Sequence, residues 1–285
     1  YTARMTIADL PPRVARIAFG VAIAAATGGA TACASGAGAP TTGAAAPGAP
    51  APADPEATGL AADVAYLAGP ALQGRETGTR GADSTVHFLV RRYEGLGLAG
   101  AFAASCAAPP ADARCAPAHV QRFRMAGAVT AYNVAAVVLG ADSALRGEYV
   151  VVGAHHDHVG RDTLLALDPE RGRVVRPGAD DNASGMAAVL ALARRLRDRP
   201  PRRSVLLVHF GAEEVGLVGS RTFVANPPVP VAAMRLMVNL DMVGRLGGDG
   251  LTVEAPRSPA LRASIARAAA AAGVRVRYSS ALEDR

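Results

Sequence analysis

The sequence of 285 residues contains no tryptophan and no lysine, and only 4 % of it is aromatic. Half of it is hydrophobic, but much of that half is alanine, so a core has to be built from Val, Leu and the few Phe and Tyr. The absence of lysine makes all 30 basic residues arginine, against 24 acids, for a net charge of +6. These arginines are scattered along the chain and are not interleaved with aromatics. The excess of base therefore reads as a bias toward Ala, Arg, Gly and Pro, and no nucleic-acid partner is expected. Long apolar runs are also missing: none past residue 33 reaches the ~18 residues of a membrane span. A charged fraction of 19 % argues against wholesale disorder beyond the N-terminus. Collagen, coiled coil and polytopic membrane protein are excluded.

Cysteine is scarce too, with three residues in all: Cys33, Cys106 and Cys115. The first follows Arg13, Arg16, an apolar stretch from Ile17 to Ala26 and the small residues Ala30-Thr31-Ala32. A basic stretch, a short apolar stretch and small residues before a cut site describe a secretory signal, and Met5 is a plausible start for it. A Cys directly after the cut resembles a bacterial lipoprotein box, which predicts a lipid on Cys33 as the one membrane attachment; Ala-Thr-Ala also suits ordinary cleavage. Residues 34–57 are almost entirely Ala, Gly, Pro, Ser and Thr and read as a disordered tether. The expected organisation is a signal over 1–33, a linker over 34–57 and one folded domain over 58–285, exported to the periplasm or anchored as a lipoprotein. In an oxidising compartment Cys106 and Cys115 form an even pair around a Pro-rich insert, and a disulfide closing that loop is expected.

The folded part alternates between strand and helix patterns. Leu60, Val64 and Leu67 recur at helical spacing over 59–68. Asp83 is a candidate cap for a helix whose apolar face is Val86, Leu89, Val90 and Tyr93. Strands are predicted at 120–125, 133–139, 149–154, 204–210 and 236–240, several of them continuous apolar runs that suit a sheet covered on both faces. Helices are predicted from Ser184 to Arg199, before Pro200-Pro201, and from Ser258 to Ala272, before Gly273, with a last strand over 274–278. The fold class is therefore α/β, with a mixed, largely parallel central sheet and helices on both faces.

Each buried run ends in acids or histidines: His155-His156-Asp157-His158, then Glu213-Glu214, then Asp241. Between the first two lies Ala179-Asp180-Asp181-Asn182-Ala183-Ser184-Gly185. Ligands in such sheets collect at the carboxyl ends of strands. Acids converging on one rim with few arginines nearby need a cation between them. Imidazole with carboxylate and no thiolate points to zinc, with manganese or cobalt as alternatives. Adjacent Glu213 and Glu214 diverge, so one can bind metal while the other holds an attacking water. Asp157, two residues from His155, can hold the far nitrogen of that imidazole. His156 and His158 either line the pocket or, on the reading preferred here, are solvated loop residues, and His209 reads as a satisfied core residue.

The stretches Gly74-Arg75-Glu76-Thr77-Gly78-Thr79, His155-x-Asp157, Asp181-Asn182-x-Ser184-Gly185 and Glu213-Glu214, in this order and at strand ends, resemble the co-catalytic di-zinc aminopeptidases. That family also includes glutamate carboxypeptidases and relatives. The resemblance runs from about Leu60 to Asp241. It implies that His155, Asp181 and Asp241 hold one zinc, that Asp181 bridges to a second ion held by Glu214, that Glu213 is the general base, and that Asp157 supports His155. Asp180 is then a neighbour of the ligands. The family closes its second zinc site with a late His, and no His follows His209 here. The resemblance therefore predicts a sequence incomplete at its C-terminus, with a second site short of one ligand and weak activity. The implied function is an exported zinc metallopeptidase acting on peptides, foremost an aminopeptidase. The alternatives are a carboxypeptidase or glutaminyl cyclase on the same fold, or an inactive binding ectodomain.

Overall fold

The computed structural model describes residues 54–103, 118–246 and 250–279. The signal, Cys33, nearly all of the tether and the Cys106/Cys115 pair lie outside the described residues. Asp54 caps the first helix, α1 (Pro55–Leu67), so the last residues of the Ala/Gly/Pro segment are already helical. The second helix, α2 (Arg80–Gly95), starts earlier than expected: Thr79 is its cap, and Asp83 lies in its first turn. A two-residue strand, β1 (Ala99–Gly100), follows. Then come β2 (Val120–Arg124), β3 (Thr130–Val138) and β4 (Tyr149–His155).

Next, a wide turn over Ala179–Ser184 leads into α3 (Gly185–Asp198), which stops before the paired prolines. Strand β5 (Ser204–Phe210) is buried along its whole length. Helix α4 (Val218–Ala225), unforeseen in the sequence, precedes β6 (Met234–Asn239). The chain continues through β7 (Leu251–Val253), α5 (Pro259–Ala271, capped by Ser258) and β8 (Val276–Tyr278). Among the described residues, no helix is long and apolar enough to cross a membrane.

The main sheet has the order β1-β3-β5-β4-β6, with β2 also paired to β3. It is mixed, as expected, but its parallel part is confined to β5-β4-β6; the pairings of β3 with β1, β2 and β5 are antiparallel. The reason is local: a tight connection over 125–129 joins β2 to β3, and with no crossover helix these strands can only run antiparallel. Helices cover both faces. On one, α1, α2 and α3 enclose Leu67, Leu89, Tyr93, Met186 and Leu190 against Val134, Val152 and Leu207. On the other, Phe223 of α4 packs edge-on against Phe210, beside Val151 and Leu206. Asp63 of α1, 1 % exposed, pairs with Arg92 of α2 and Arg194 of α3 and ties the three helices together.

Strand register places the chemistry. His155 at the end of β4 lies level with Phe210 at the end of β5, and Gly153 lies level with Asn239 of β6. Residues 156–158, 211–214 and 241 therefore leave the sheet at one rim.

Candidate metal centre

His155 is 3 % exposed and its ring orientation is fixed. Its Nδ1 donates to the backbone carbonyl of Asp157 at 3.1 Å, which directs Nε2 outward. That Nε2 lies 3.1 Å from Asp181 Oδ1 and 3.5 Å from Asp241 Oδ1. Burial works against charge on this imidazole, yet the hydrogen bonds to Asp181 and Asp241 outweigh it and raise its pKa well above the usual value. A nitrogen facing two carboxylates needs a cation between them, and a proton or a metal ion meets that need. One nitrogen and two oxygens at these separations suit a divalent ion of zinc's size and preference.

The expected carboxylate–imidazole contact of Asp157 is not what holds His155. The Asp157 carboxylate lies 4.0 Å from Nδ1 and is engaged elsewhere. Its Oδ1 accepts from the backbone N–H of Glu213 at 3.0 Å, and its Oδ2 from Thr77 Oγ1 at 2.8 Å and the N–H of Glu214 at 3.3 Å. Asp157 thus braces His155 through its main chain and the Glu213-Glu214 turn through its side chain. Asn133, buried under that turn, accepts from the N–H of Gly211 and donates to the carbonyl of Gly219.

Glu213 and Glu214 differ in surroundings, as their divergence requires. Burial pushes the Glu213 carboxyl up to about 7 from an ordinary 4.5; His155 opposes the rise, and Asp157, Glu214 and Asp241 add to it. Glu213 offers an oxygen within 4.8 Å of a His155 nitrogen and a Glu214 oxygen. Glu214 Oε1 meets His158 Nδ1 at 2.8 Å. His158 therefore takes the pocket-lining alternative and not the solvated-loop reading that the sequence favoured. Nor is His156 solvated: it is 2 % exposed with Nε2 2.8 Å from the Tyr132 carbonyl. His209 is fully buried as expected; its Nε2 meets Tyr93 at 2.7 Å, and burial drops its pKa to about 3.

Asp181 stands between the two histidines. Its Oδ2 is 3.7 Å from His158 Nδ1, while its Oδ1 faces His155. Asp180 turns away and accepts from the N–H of Gly244 at 2.9 Å, in line with its reading as a neighbour of the ligands.

Three supporting residues lie in stretches that carry the resemblance but were given no role of their own. Arg75, fully buried, donates to the carbonyls of His156 (3.1 Å), Leu67 (2.6 Å), Pro177 (2.8 Å) and Gly178 (2.9 Å). Burial lowers its pKa to about 10 against the opposing pull of Asp157, Asp181 and Glu214, so it is still a cation at neutral pH. Asn182 donates to the Leu240 carbonyl (2.9 Å), and Ser184 Oγ accepts from the N–H of Val243 (3.0 Å), which fixes the chain around Asp241. Gly185 permits this approach, because a Cβ there would run into the Leu240 carbonyl and the Asn182 side chain.

All six proposed site residues except the buried Asp157 line one cavity of about 320 Å³, with Val159, Leu165, Leu167 and Met242 as its apolar wall. Arg171 and Arg176 also line it, but both pair with Asp168.

Residues 133–284 match the family profile of Peptidase family M28. Leucine aminopeptidase 1 of Trichophyton rubrum is 36 % identical over 107 residues, covering 35 % of this chain and 27 % of that protein. The chain aligns with less than a third of the length of the curated relatives it matches. A Zn-dependent exopeptidase from Parabacteroides distasonis superposes with a TM-score of 0.53 at 21 % identity, over 70 % of this chain and 65 % of that one. A Bacteroides thetaiotaomicron glutaminyl cyclase superposes with a TM-score of 0.57 at 18 % identity, over 78 % and 77 % of the two chains. These superpositions establish the fold.

Proposed function

Since the chain belongs to Peptidase family M28, we propose that it hydrolyses peptide bonds at a free N-terminus, as a zinc aminopeptidase. The observation that carries this reading is the convergence of His155, Asp181 and Asp241 on one point, beside a Glu213 whose pKa is raised to about 7. His155, Asp181 and Asp241 would hold one ion, and Asp181 with Glu214 would contribute oxygens to a second. Bound zinc would supply Lewis acidity toward the scissile carbonyl and toward water.

Glu213 takes a proton from the attacking water and passes it to the leaving amine. Asp157 holds the Glu213-Glu214 turn in place, so the base does not drift from the ligands. The cavity is rich in acids, which favours a substrate's α-ammonium group. A carboxypeptidase needs a guanidinium aimed at the substrate carboxylate, and the two arginines of the wall already share Asp168. The export reading belongs to the same proposal, supported by the Arg13-to-Cys33 pattern.

Two measurements test it. Aminoacyl p-nitroanilides should turn over while their N-acetylated forms do not, and chelator should stop turnover. Glu213→Gln should lower kcat by roughly 10²–10⁴ with the zinc content unchanged. Equal turnover of blocked and free substrates would refute the N-terminal specificity, and an active Glu213→Gln would refute the assignment of the base.

A further inference from the structure

We propose that Asn133 is a positioning residue for the peptidase reaction: its amide clamps the loop that carries Glu213 and Glu214 and so keeps the general base in place. This rests on the metallopeptidase reading above and adds to it a residue that lies on another strand, remote in sequence from the base.

The loop needs a clamp. It leaves β5 at Gly211 and enters α4 at Val218. Within it, Ala212 (φ +55°) and Leu217 (φ +61°) sit in the left-handed region that residues with a Cβ disfavour. Such a conformation persists only where its surroundings over-determine it. The loop's own bonds close its base: the Gly219 N–H donates to the Gly211 carbonyl and the Val218 N–H to the Ala212 carbonyl, both at 3.0 Å. Asn133, fully buried, completes that closure from beneath. Its Oδ1 accepts from the Gly211 N–H at 3.1 Å and its Nδ2 donates to the Gly219 carbonyl at 2.8 Å, so one amide spans both ends.

The orientation of that amide is itself set. Asn133 of β3 lies directly opposite Gln121 of β2, and its Nδ2 donates a second time, to Gln121 Oε1 at 2.8 Å. Gln121 Nε2 donates in turn to the carbonyl of Asn226, the residue that ends α4, at 2.7 Å. The two amides thus tie the start of the loop, the first turn of α4 and its last residue to the β2-β3 pair. The fit is tight. A Cβ on Gly219 would meet Asn133 Oδ1 and the Gly211 carbonyl, and one on Gly211 would meet the Tyr132 carbonyl and the His156 ring.

Asp157 holds the middle of this loop through the N–H groups of Glu213 and Glu214, and Asn133 holds its two ends. Loss of the clamp lets the loop relax and moves the base off the attacking water; a displacement of about 1 Å costs on the order of 100-fold in rate. The competing role for Asn133 is to satisfy buried backbone groups and stabilise the fold, with no bearing on the base.

Turnover and hydrogen exchange separate the two roles. The full chain is loaded with zinc and assayed on an aminoacyl p-nitroanilide. Asn133→Ala should lower kcat by roughly 10–100-fold, with KM within about twofold and zinc content unchanged. In a Glu213→Gln background the same substitution should lower kcat no further, because it acts through that base. In the metal-free protein, amides over 211–217 should exchange at least about 10-fold faster than in the wild type, while those of β5 and α3 keep their rates. Gln121→Ala leaves both glycine bonds and removes only the group that orients the amide; it should give the same pattern with a loss of about 3–10-fold in kcat.

An unchanged kcat, a loss that multiplies in full with that of Glu213→Gln, or faster exchange spread over β5 and α3 overturns the proposal and leaves the peptidase reading standing. If Asn133→Ala does not fold, Gln121→Ala is held to the same three criteria. A wild type that turns over neither free nor acyl-blocked substrates overturns both.

Discussion

Arg75 braces the candidate metal centre from its buried side. Its guanidinium reaches carbonyls from the end of α1, the loop after β4 and the turn before α3, so segments 8 to 103 residues away are held by one side chain. Arg75→Met leaves those buried carbonyls unpaired and removes a cation from beneath Asp157, Asp181 and Glu214. We expect it to lower stability by about 3–5 kcal/mol in denaturant titrations of the chelated protein and to weaken zinc binding as well; Arg75→Lys should recover only part of either, because an ammonium cannot span the same carbonyls.

Glu213 carries a pH signature. Its folded pKa, about 7, lies above its ordinary 4.5, so folding favours its protonated form. The metal-free protein should therefore lose stability as pH rises through the interval from 4.5 to 7, and Glu213→Gln should flatten that part of the profile in thermal melts. The acids and His155 were legible in the sequence because they end buried runs. Arg75, Asn182 and Thr77 were not, since they act through partners remote in sequence. For His158 the sequence favours the solvated-loop reading because nothing in His155-His156-Asp157-His158 reveals that the turn over 177–181 closes on it, and Asp157 was expected to hold the His155 ring, whereas its carboxylate turns to the N–H groups of Glu213 and Glu214.

At the scale of elements, the legible parts were those with a strong pattern: β4, β5 and α3 fall within a residue or so of their expected bounds. Helix α4 was not foreseen because it has only eight residues and no side-chain cap, and begins after Leu217 in a left-handed conformation. The antiparallel share of the sheet was hidden for a similar reason, since β3 is buried on both faces whichever way its neighbours run. The tie between α1, α2 and α3 depends on Asp63, a carboxylate nearly without water whose two arginines are partly exposed. Asp63→Asn keeps the shape and removes the charge. It should cost about 2 kcal/mol in urea unfolding, and less at high salt than at low salt.

Across the whole molecule, the proposed ligands come from three loops and a turn that only the finished sheet brings together, so zinc binding as proposed would be coupled to folding. Free zinc at about 1,000 times its dissociation constant should stabilise the protein by about 4 kcal/mol over the chelated form, read as a higher Tm that falls back with chelator. Under the proposed export reading, a lipid on Cys33 would hold the folded domain at a membrane by the 34–57 segment. Cys33→Ser should then move the activity from the membrane to the soluble fraction without changing kcat.

Asp181 gives one oxygen to each histidine, and this makes the centre asymmetric toward mutation. Under the proposed two-ion reading, an outer donor such as Asp241 or Glu214 would be exchanged at the expense of its own ion, leaving a simpler one-ion descendant that still folds. Substitution of Asp181 would disable both proposed positions in a single step. Lineages that shed one ion should therefore vary at the periphery of the cluster and keep this aspartate, which makes it the fixed point around which one-ion and two-ion chemistries can interconvert.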